Sequence, residues 1–202
     1  MAEAGVNEEV LGLFDDGVSS FEEVAGQVSQ WDRPACGEWS AADTVRHVLA
    51  VADWYHEWLD RAEAGVTSRP FPVEEMPSRN QVEVANRADI AVDDAVRQFV
   101  TRARSYGERV DRNWDLPYAY PFGHVTAGLH LGVAAAEWNL HAWDLSGEFD
   151  ARHEPSDPVG LFRAAGSCFA ASQGGVRGRV TGWIVPIGAR MRPWPSLLER
   201  SG

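Results

Sequence analysis

The sequence predicts an all-α protein, a four-helix bundle with long crossover loops and a short fifth helix. Three observations predict it. Apolar residues recur at three- and four-residue steps over four long stretches, the period of a helix with one buried face. Two long, proline-bearing connections separate stretches two, three and four. The 202 residues contain no internal repeat and suit one domain with a sizeable core.

The first helix is predicted over residues 6–29, where Val10, Leu13, Phe14, Phe21, Val24 and Val28 line one face and Gly12, Gly17 and Gly26 weaken its continuity. Pro34 to Gly37 reads as a turn. Ser40 is placed to cap the second helix, with Asp43 three residues on as its capping-box partner. That helix carries Val45, Val48, Leu49, Ala52, Tyr55 and Leu59 to about residue 63. Residues 64–80 hold Gly65, Pro70, Pro72 and Pro77 and are predicted to be a loop. A third helix is expected from Gln81 to Val110, with Val84, Ala88, Val92, Val96, Phe99 and Val100 inward. After an irregular stretch, Asn113 to Phe122, the fourth helix is predicted from His124 to Ser146 and a shorter fifth over 158–173. The chain thus reads as a single domain over 1–202. Its tail, 174–202, is irregular and expected to wrap the bundle and end in a short turn around Leu197 and Leu198.

Composition narrows the function classes. The chain is 45% apolar with a formal charge of −12, which argues against disorder, against a nucleic-acid partner and against an anionic membrane surface. All 18 basic residues are arginine, so no lysine is present to form a Schiff base. The two cysteines, Cys36 and Cys168, belong to no metal-knuckle pattern and are expected as free thiols. With no apolar leader and no run of 18 apolar residues, a cytoplasmic protein is expected, monomeric or homodimeric.

One stretch carries chemistry. Glu137 and His141 stand four residues apart, one turn apart on one helix face. On spacing alone an ordinary solvated pair is the favoured reading. Two features shift it: Ala134, Ala135 and Ala136 before Glu137 and Trp138 and Leu140 after it are a poor setting for a solvated carboxylate, and a buried Glu needs a partner or a metal. His47, among Val45, Val48 and Leu49, is the best third ligand, giving a metal site between helices. His130 lies seven residues before Glu137, roughly 10 Å along the axis, so it can line a pocket but not share the ion. Asp144, three residues after His141, suits an acceptor behind a ligand imidazole or a general base. His130 and Asp144 are therefore the candidate proton-moving residues. His56 is expected on the face opposite His47, and His124 and His153 in solvent. Trp39, Trp54, Trp138 and Trp143 are expected to be core, one of them walling the pocket.

The segment Pro34-Ala35-Cys36-Gly37-Glu38-Trp39-Ser40-Ala41-Ala42-Asp43-Thr44-Val45-Arg46-His47 resembles the entry to the second helix of the mycothiol-dependent maleylpyruvate isomerase N-terminal domain family, within the DinB-like superfamily. Relative to that family's pattern, one residue is inserted between Pro34 and Cys36. Glu137-Trp138-Asn139-Leu140-His141-Ala142-Trp143-Asp144-Leu145 resembles its E-x-x-x-H-x-W-D-L segment, and Trp183-Ile184-Val185-Pro186 through Leu197-Leu198-Glu199-Arg200 its short ending. The resemblance implies a four-helix bundle holding a divalent metal, usually zinc, by His47, Glu137 and His141. It also implies mycothiol, the actinobacterial low-molecular-weight thiol, as co-substrate, and the arginine-only composition fits such a source. Full-length maleylpyruvate isomerases carry a further C-terminal domain for which this chain is expected to be too short, so isomerisation of maleylpyruvate itself is not expected.

The expected chemistry is a thiolate activated at the metal that attacks an electrophilic small molecule. Release of the adduct is S-transfer; bond rotation and expulsion of the thiol is cis–trans isomerisation. The same donor set also suits a thiol-independent hydrolase or lyase, nickel or Fe(II) in place of zinc, or a non-catalytic bundle.

Overall fold

Six helices and two short hairpins make up the described part of the computed structural model, residues 2–149 and 152–172 without the side chains of residues 2–4 and 148. The tail predicted to wrap the bundle, 174–202, lies outside the described residues. The helices are α1 (Ala2–Ala25), α2 (Ala41–Glu63), α3 (Met76–Asn86), α4 (Val92–Arg112), α5 (Ala127–Leu145) and α6 (Pro158–Ser172). The strands are β1 (Pro34–Cys36) paired with β2 (Trp39–Ser40), and β3 (Pro117–Tyr120) paired with β4 (Gly123–Thr126), both antiparallel. The chain is mostly helical, as its periodicity predicts. No described helix is long and apolar enough to cross a membrane.

Four helices pack around the core. α5 lies on α1 and α6, α4 bridges α1 and α2, and α2 closes back onto α5. Phe21 meets Phe99 edge-on at 4.8 Å between ring centroids, and Phe99 meets Trp138 at 4.9 Å, so α1, α4 and α5 share one aromatic seam. α5 is apolar nearly all round, with Leu131, Ala134, Ala135, Trp138 and Leu145 fully buried. A helix of that kind can only be the central one.

Five predicted boundaries change. The first helix, expected over 6–29, runs Ala2–Ala25 and leaves the buried Val28 beyond its end. Residues 64–80 are not wholly a loop: a 3-10 turn over Val73–Glu75 leads into α3, with Pro77 in its first turn. There a missing N–H costs no helical hydrogen bond. The predicted third helix is two, α3 and α4, interrupted after Asn86. Arg87 follows the break and pairs with Asp53 of α2 at 2.9 Å and with Glu83, which holds α3 against α2. Ala88, expected inward, is exposed. The Pro34–Gly37 turn belongs to the β1–β2 hairpin, whose reversal puts Gly37 at φ 60°, a conformation glycine adopts without a Cβ clash. The Asn113–Phe122 stretch contains β3, and α5 begins at Ala127, capped by Thr126 accepting from the Leu129 N–H at 3.3 Å, so His124 lies on β4.

The α5–α6 contact is close enough to exclude a methyl group. A Cβ on Gly132 would fall 2.8 Å from the Ala164 carbonyl carbon and 2.9 Å from its oxygen, whereas one on Gly12 of α1 meets nothing within 4 Å. Gly132→Ala is expected to cost about 1–3 kcal/mol. Gly12→Ala is expected to be neutral or to stabilise by up to about 1 kcal/mol. Urea unfolding of the two variants checks both, and equal midpoints would contradict this packing.

Candidate metal centre

Two helices that start for local reasons bring the ligands together. Ser40 Oγ accepts from the Asp43 N–H at 3.1 Å while Asp43 Oδ2 accepts from the Ser40 N–H at 3.3 Å, the full capping box at the head of α2. This cap sets where the second turn of α2 falls, and His47 sits there with 4% of its surface exposed. Trp39, on β2 just before the cap, lies against the His47 ring at 4.6 Å between centroids. On α5, Glu137 and His141 occupy successive turns of the face toward α2. Arg33 hydrogen-bonds the Leu145 carbonyl at the last turn of α5, a favourable place for a cation.

The donor atoms of His47, Glu137 and His141 all lie within 4.8 Å of one another. Glu137 Oε1 is 3.2 Å from His141 Nε2 and 3.7 Å from His47 Nε2. Two ligands of one tetrahedral zinc ion stand about 3.4 Å apart, given bonds of about 2.0–2.2 Å, so this spacing fits a shared cation. His141 is 2% exposed, and the Glu137 side chain keeps 25% of its surface, open to the adjoining cavity.

Protons decide how the site reads. Asp144 Oδ2 lies 3.0 Å from His141 Nδ1 and accepts its proton, so Asp144 stands directly behind the imidazole. Nε2 of the same ring then faces a carboxylate oxygen. A lone pair against an anion is repulsive, so a positive charge belongs between them, either a second proton on His141 or a metal cation. Burial opposes a charge on His141, but hydrogen bonds to Asp144, Cys36 and Glu137 outweigh it and hold the imidazole well above its ordinary value. Burial likewise opposes ionisation of Glu137, and the hydrogen bonds and charges of His141 and His47 outweigh that too, holding its carboxyl well below the usual range.

His130 is separate from this set. It is 1% exposed and ringed by Tyr55, Tyr118 and Tyr120 at 4.6, 4.6 and 5.0 Å between centroids, with the Tyr106 hydroxyl 2.9 Å from its Nδ1. Burial pushes it down to about 3, against a smaller opposing pull from Glu137. At neutral pH it is an uncharged member of the cavity wall. His130 thus lies in the cavity wall beside the tyrosines, apart from the three ligand candidates.

The other predicted positions divide. His56 of α2 points toward α4, its Nε2 donating to the Arg102 carbonyl at 2.9 Å and its Nδ1 accepting from Arg109 at 3.0 Å. His124 is exposed and donates to the Thr67 carbonyl at 2.7 Å. His153, expected in solvent, is half-buried: its Nε2 donates to Asn139 Oδ1 at 3.1 Å, and burial lowers its pKa. Trp138 is core, Trp54 and Trp39 wall the cavity, and Trp143 lies under the Arg152 guanidinium at 4.0 Å.

Two cavity residues are given no role by local spacing, although Cys36 falls inside the Pro34–His47 segment that carries the resemblance. Cys36, on β1, brings its thiol to His141, and its sulfur lies within 4.8 Å of the His141 and Asp144 donor atoms. Asn80, on α3, lines the cavity from another side. Both arrive through tertiary contacts, and neither stands at a diagnostic spacing from Glu137 or His47.

No family model, curated protein or solved structure matches the chain.

The two thiols differ in setting. Cys36 is half-buried at the cavity, whereas Cys168 is fully buried beneath Tyr120, and burial pushes its thiol up to about 12. Because the thiolate is the nucleophile, iodoacetamide at pH 8 is expected to alkylate Cys36 in the folded protein and to spare Cys168, with both modified after unfolding. Peptide mass mapping checks this, and labelling of Cys168 in the folded state would contradict the packing of α6.

Proposed function

We propose that this chain is a metal-dependent enzyme that holds one divalent cation, preferably zinc, through His47, Glu137 and His141. In this reading it activates a low-molecular-weight thiol, mycothiol, for addition or S-transfer to a small electrophile, or for thiol-assisted cis–trans isomerisation. The observation that carries it is the carboxylate oxygen of Glu137 standing 3.2 and 3.7 Å from two imidazole nitrogens on two helices, at the wall of a cavity. A DinB-like four-helix bundle formed by α1, α2, α4 and α5 is part of the same proposal. It is supported by the closed circuit of contacts α1–α4–α2–α5 and by the resemblance of the two ligand-bearing segments to that family.

When bound, the cation stabilises the thiolate form of an incoming thiol at neutral pH. The chain's own groups prepare the place. Asp144 keeps a proton on His141 Nδ1 and so turns the Nε2 lone pair toward Glu137. Glu137 supplies the anionic ligand, and Trp39 packs against the His47 ring. Trp54, Trp58 and Phe122 give the cavity apolar walls, which keep water from an electrophilic carbon held there.

A second reading draws on one specific observation. His141 lies between the carboxylates of Asp144 and Glu137 on α5, so a doubly protonated His141 could satisfy both without metal, with Glu137 alone reaching His47 of α2. Metal content separates the two. Protein purified without chelator is expected to carry about one divalent ion per chain, lost in His47→Ala and in Glu137→Ala. Those variants are also expected to lose mycothiol-dependent consumption of a chloronitrobenzene. Asp144→Asn is expected to weaken metal binding about 10–100-fold. Elemental analysis and a coupled chloride-release assay check these outcomes, and full metal occupancy in both alanine variants would overturn the proposal.

A further inference from the structure

The cavity beside Glu137 is a compartment of about 230 Å³. The candidate ligands lie at one end of it. His130, seven residues before Glu137 on α5, also lines it, about 10 Å away along the helix axis. The chain has no lysine, and no arginine is among the described residues that line the cavity. The His130 end therefore offers a guest no fixed cation. What it offers is the imidazole.

Only one ring nitrogen of His130 is engaged. Nδ1 meets the Tyr106 hydroxyl at 2.9 Å, whereas Nε2 hydrogen-bonds to none of the described residues. Nε2 is not sealed from the cavity either: the fully enclosed side-chain nitrogen and oxygen atoms that lack a partner belong to other residues. The residue as a whole is 1% exposed. An unpaired ring nitrogen left open on the wall of a cavity marks where a guest's polar atom goes, because burial there without a partner carries an unreturned desolvation penalty.

The tyrosines decide whether that nitrogen donates or accepts. The Tyr118 hydroxyl donates to the Tyr106 oxygen, a bond that raises the first phenol and lowers the second, with the Tyr55 carbonyl at a longer 3.5 Å. Tyr106 then has its own single proton to place, and His130 Nδ1 is the acceptor within reach. The ring's proton is thereby on Nε2, toward the cavity. Burial keeps the ring uncharged at neutral pH, so it donates a hydrogen bond without a proton to give away.

We propose that His130 is a catalytic residue whose neutral Nε2–H donates to an uncharged oxygen, carbonyl or nitro, conjugated to the electrophilic carbon of a small substrate. Its part in the reaction rests on the thiol-transfer reading above, whereas its hold on the oxygen does not. As the thiolate sulfur bonds to the electrophilic carbon, a π pair shifts onto that oxygen, and the hydrogen bond strengthens where the charge develops. The proton stays on Nε2. The pair returns when the thiolate, or another leaving group on the same carbon, departs with its own bonding pair.

Infrared spectra of acetophenone bound to the zinc-loaded full chain test this, together with nitrogen NMR of His130. The carbonyl stretch is expected at lower frequency than in hexane, and that fall is expected to disappear in His130→Phe. His130→Gln, whose amide restores a donor, is expected to recover part of it. In titrations, the ratio of acetophenone to ethylbenzene affinity is expected to drop about tenfold between the unmodified chain and His130→Phe. NMR of the unmodified chain at pH 7 is expected to show the proton on Nε2 and none on Nδ1, a measurement that serves if the phenylalanine variant does not fold. A proton on Nδ1 would overturn the assignment. So would an unchanged affinity ratio, or a carbonyl shift that survives in His130→Phe, since metal or water would then be holding the oxygen. Metal content of the same samples separates the two proposals. Protein that lacks metal yet shows the His130-dependent shift contradicts the metal reading alone, and protein that holds metal without that shift contradicts the His130 reading alone.

Discussion

A carboxylate on the most buried helix of a protein must be answered by positive charge, and the arrangement around Glu137 follows from that demand. α5 is enclosed on nearly every side, so Glu137 has only the cavity and the neighbouring α2 to face. It meets two imidazoles there, one on each helix. Taking a carboxylate out of water costs several kcal/mol unless it is paired. Two neutral rings presenting lone pairs would not repay that cost. The constellation is satisfied by a cation at its centre or by ring N–H groups that donate to Glu137, and the contact of Glu137 with His47 ties α5 to α2.

The surrounding structure supports that centre at successive distances. The Ser40–Asp43 cap fixes where α2 begins, and hence the height of His47. The β1–β2 hairpin carries Cys36 to His141 and Trp39 to His47. Asp144 orients His141 from behind, while the Asn139–His153 hydrogen bond ties α5 to the segment before α6. On the other side of the cavity, His130 sits in a cage of tyrosines whose hydroxyls burial keeps protonated. The cavity therefore has a charged side and a neutral side, set by which polar groups have charged partners and which have only aromatic rings.

What could be read from the chain depended on how local the controlling interaction is. The start of α2 was legible because its cap is made by residues three apart. The facing of Glu137 and His141 was legible because a helix turn dictates it, and burial of His47 followed from its apolar neighbours. The division between α3 and α4 was not legible. Arg87 through Ala91 contain neither glycine nor proline, and the break is held by Arg87 reaching Asp53, 34 residues away. Pro77 suggested a loop where it occupies the one helical turn that tolerates it. The hairpins were hidden in segments whose prolines and glycines read as irregular chain. Cys36, Asn80 and the tyrosine cage of His130 depend on contacts across the fold, which no local spacing announces. His130 kept its predicted place on the face of α5, but its chemistry is set by Tyr55, Tyr118 and Tyr120, which come from other elements.

X-ray absorption at the metal edge of the zinc-loaded protein tests the central claim most directly, because it reads which atoms surround the ion. The account predicts scattering from two imidazole rings with nitrogen at about 2.0–2.1 Å, together with carboxylate or solvent oxygen at about 2.0–2.2 Å. It predicts one imidazole fewer in His47→Ala. A first shell of oxygen alone, or one dominated by sulfur at about 2.3 Å, would contradict it.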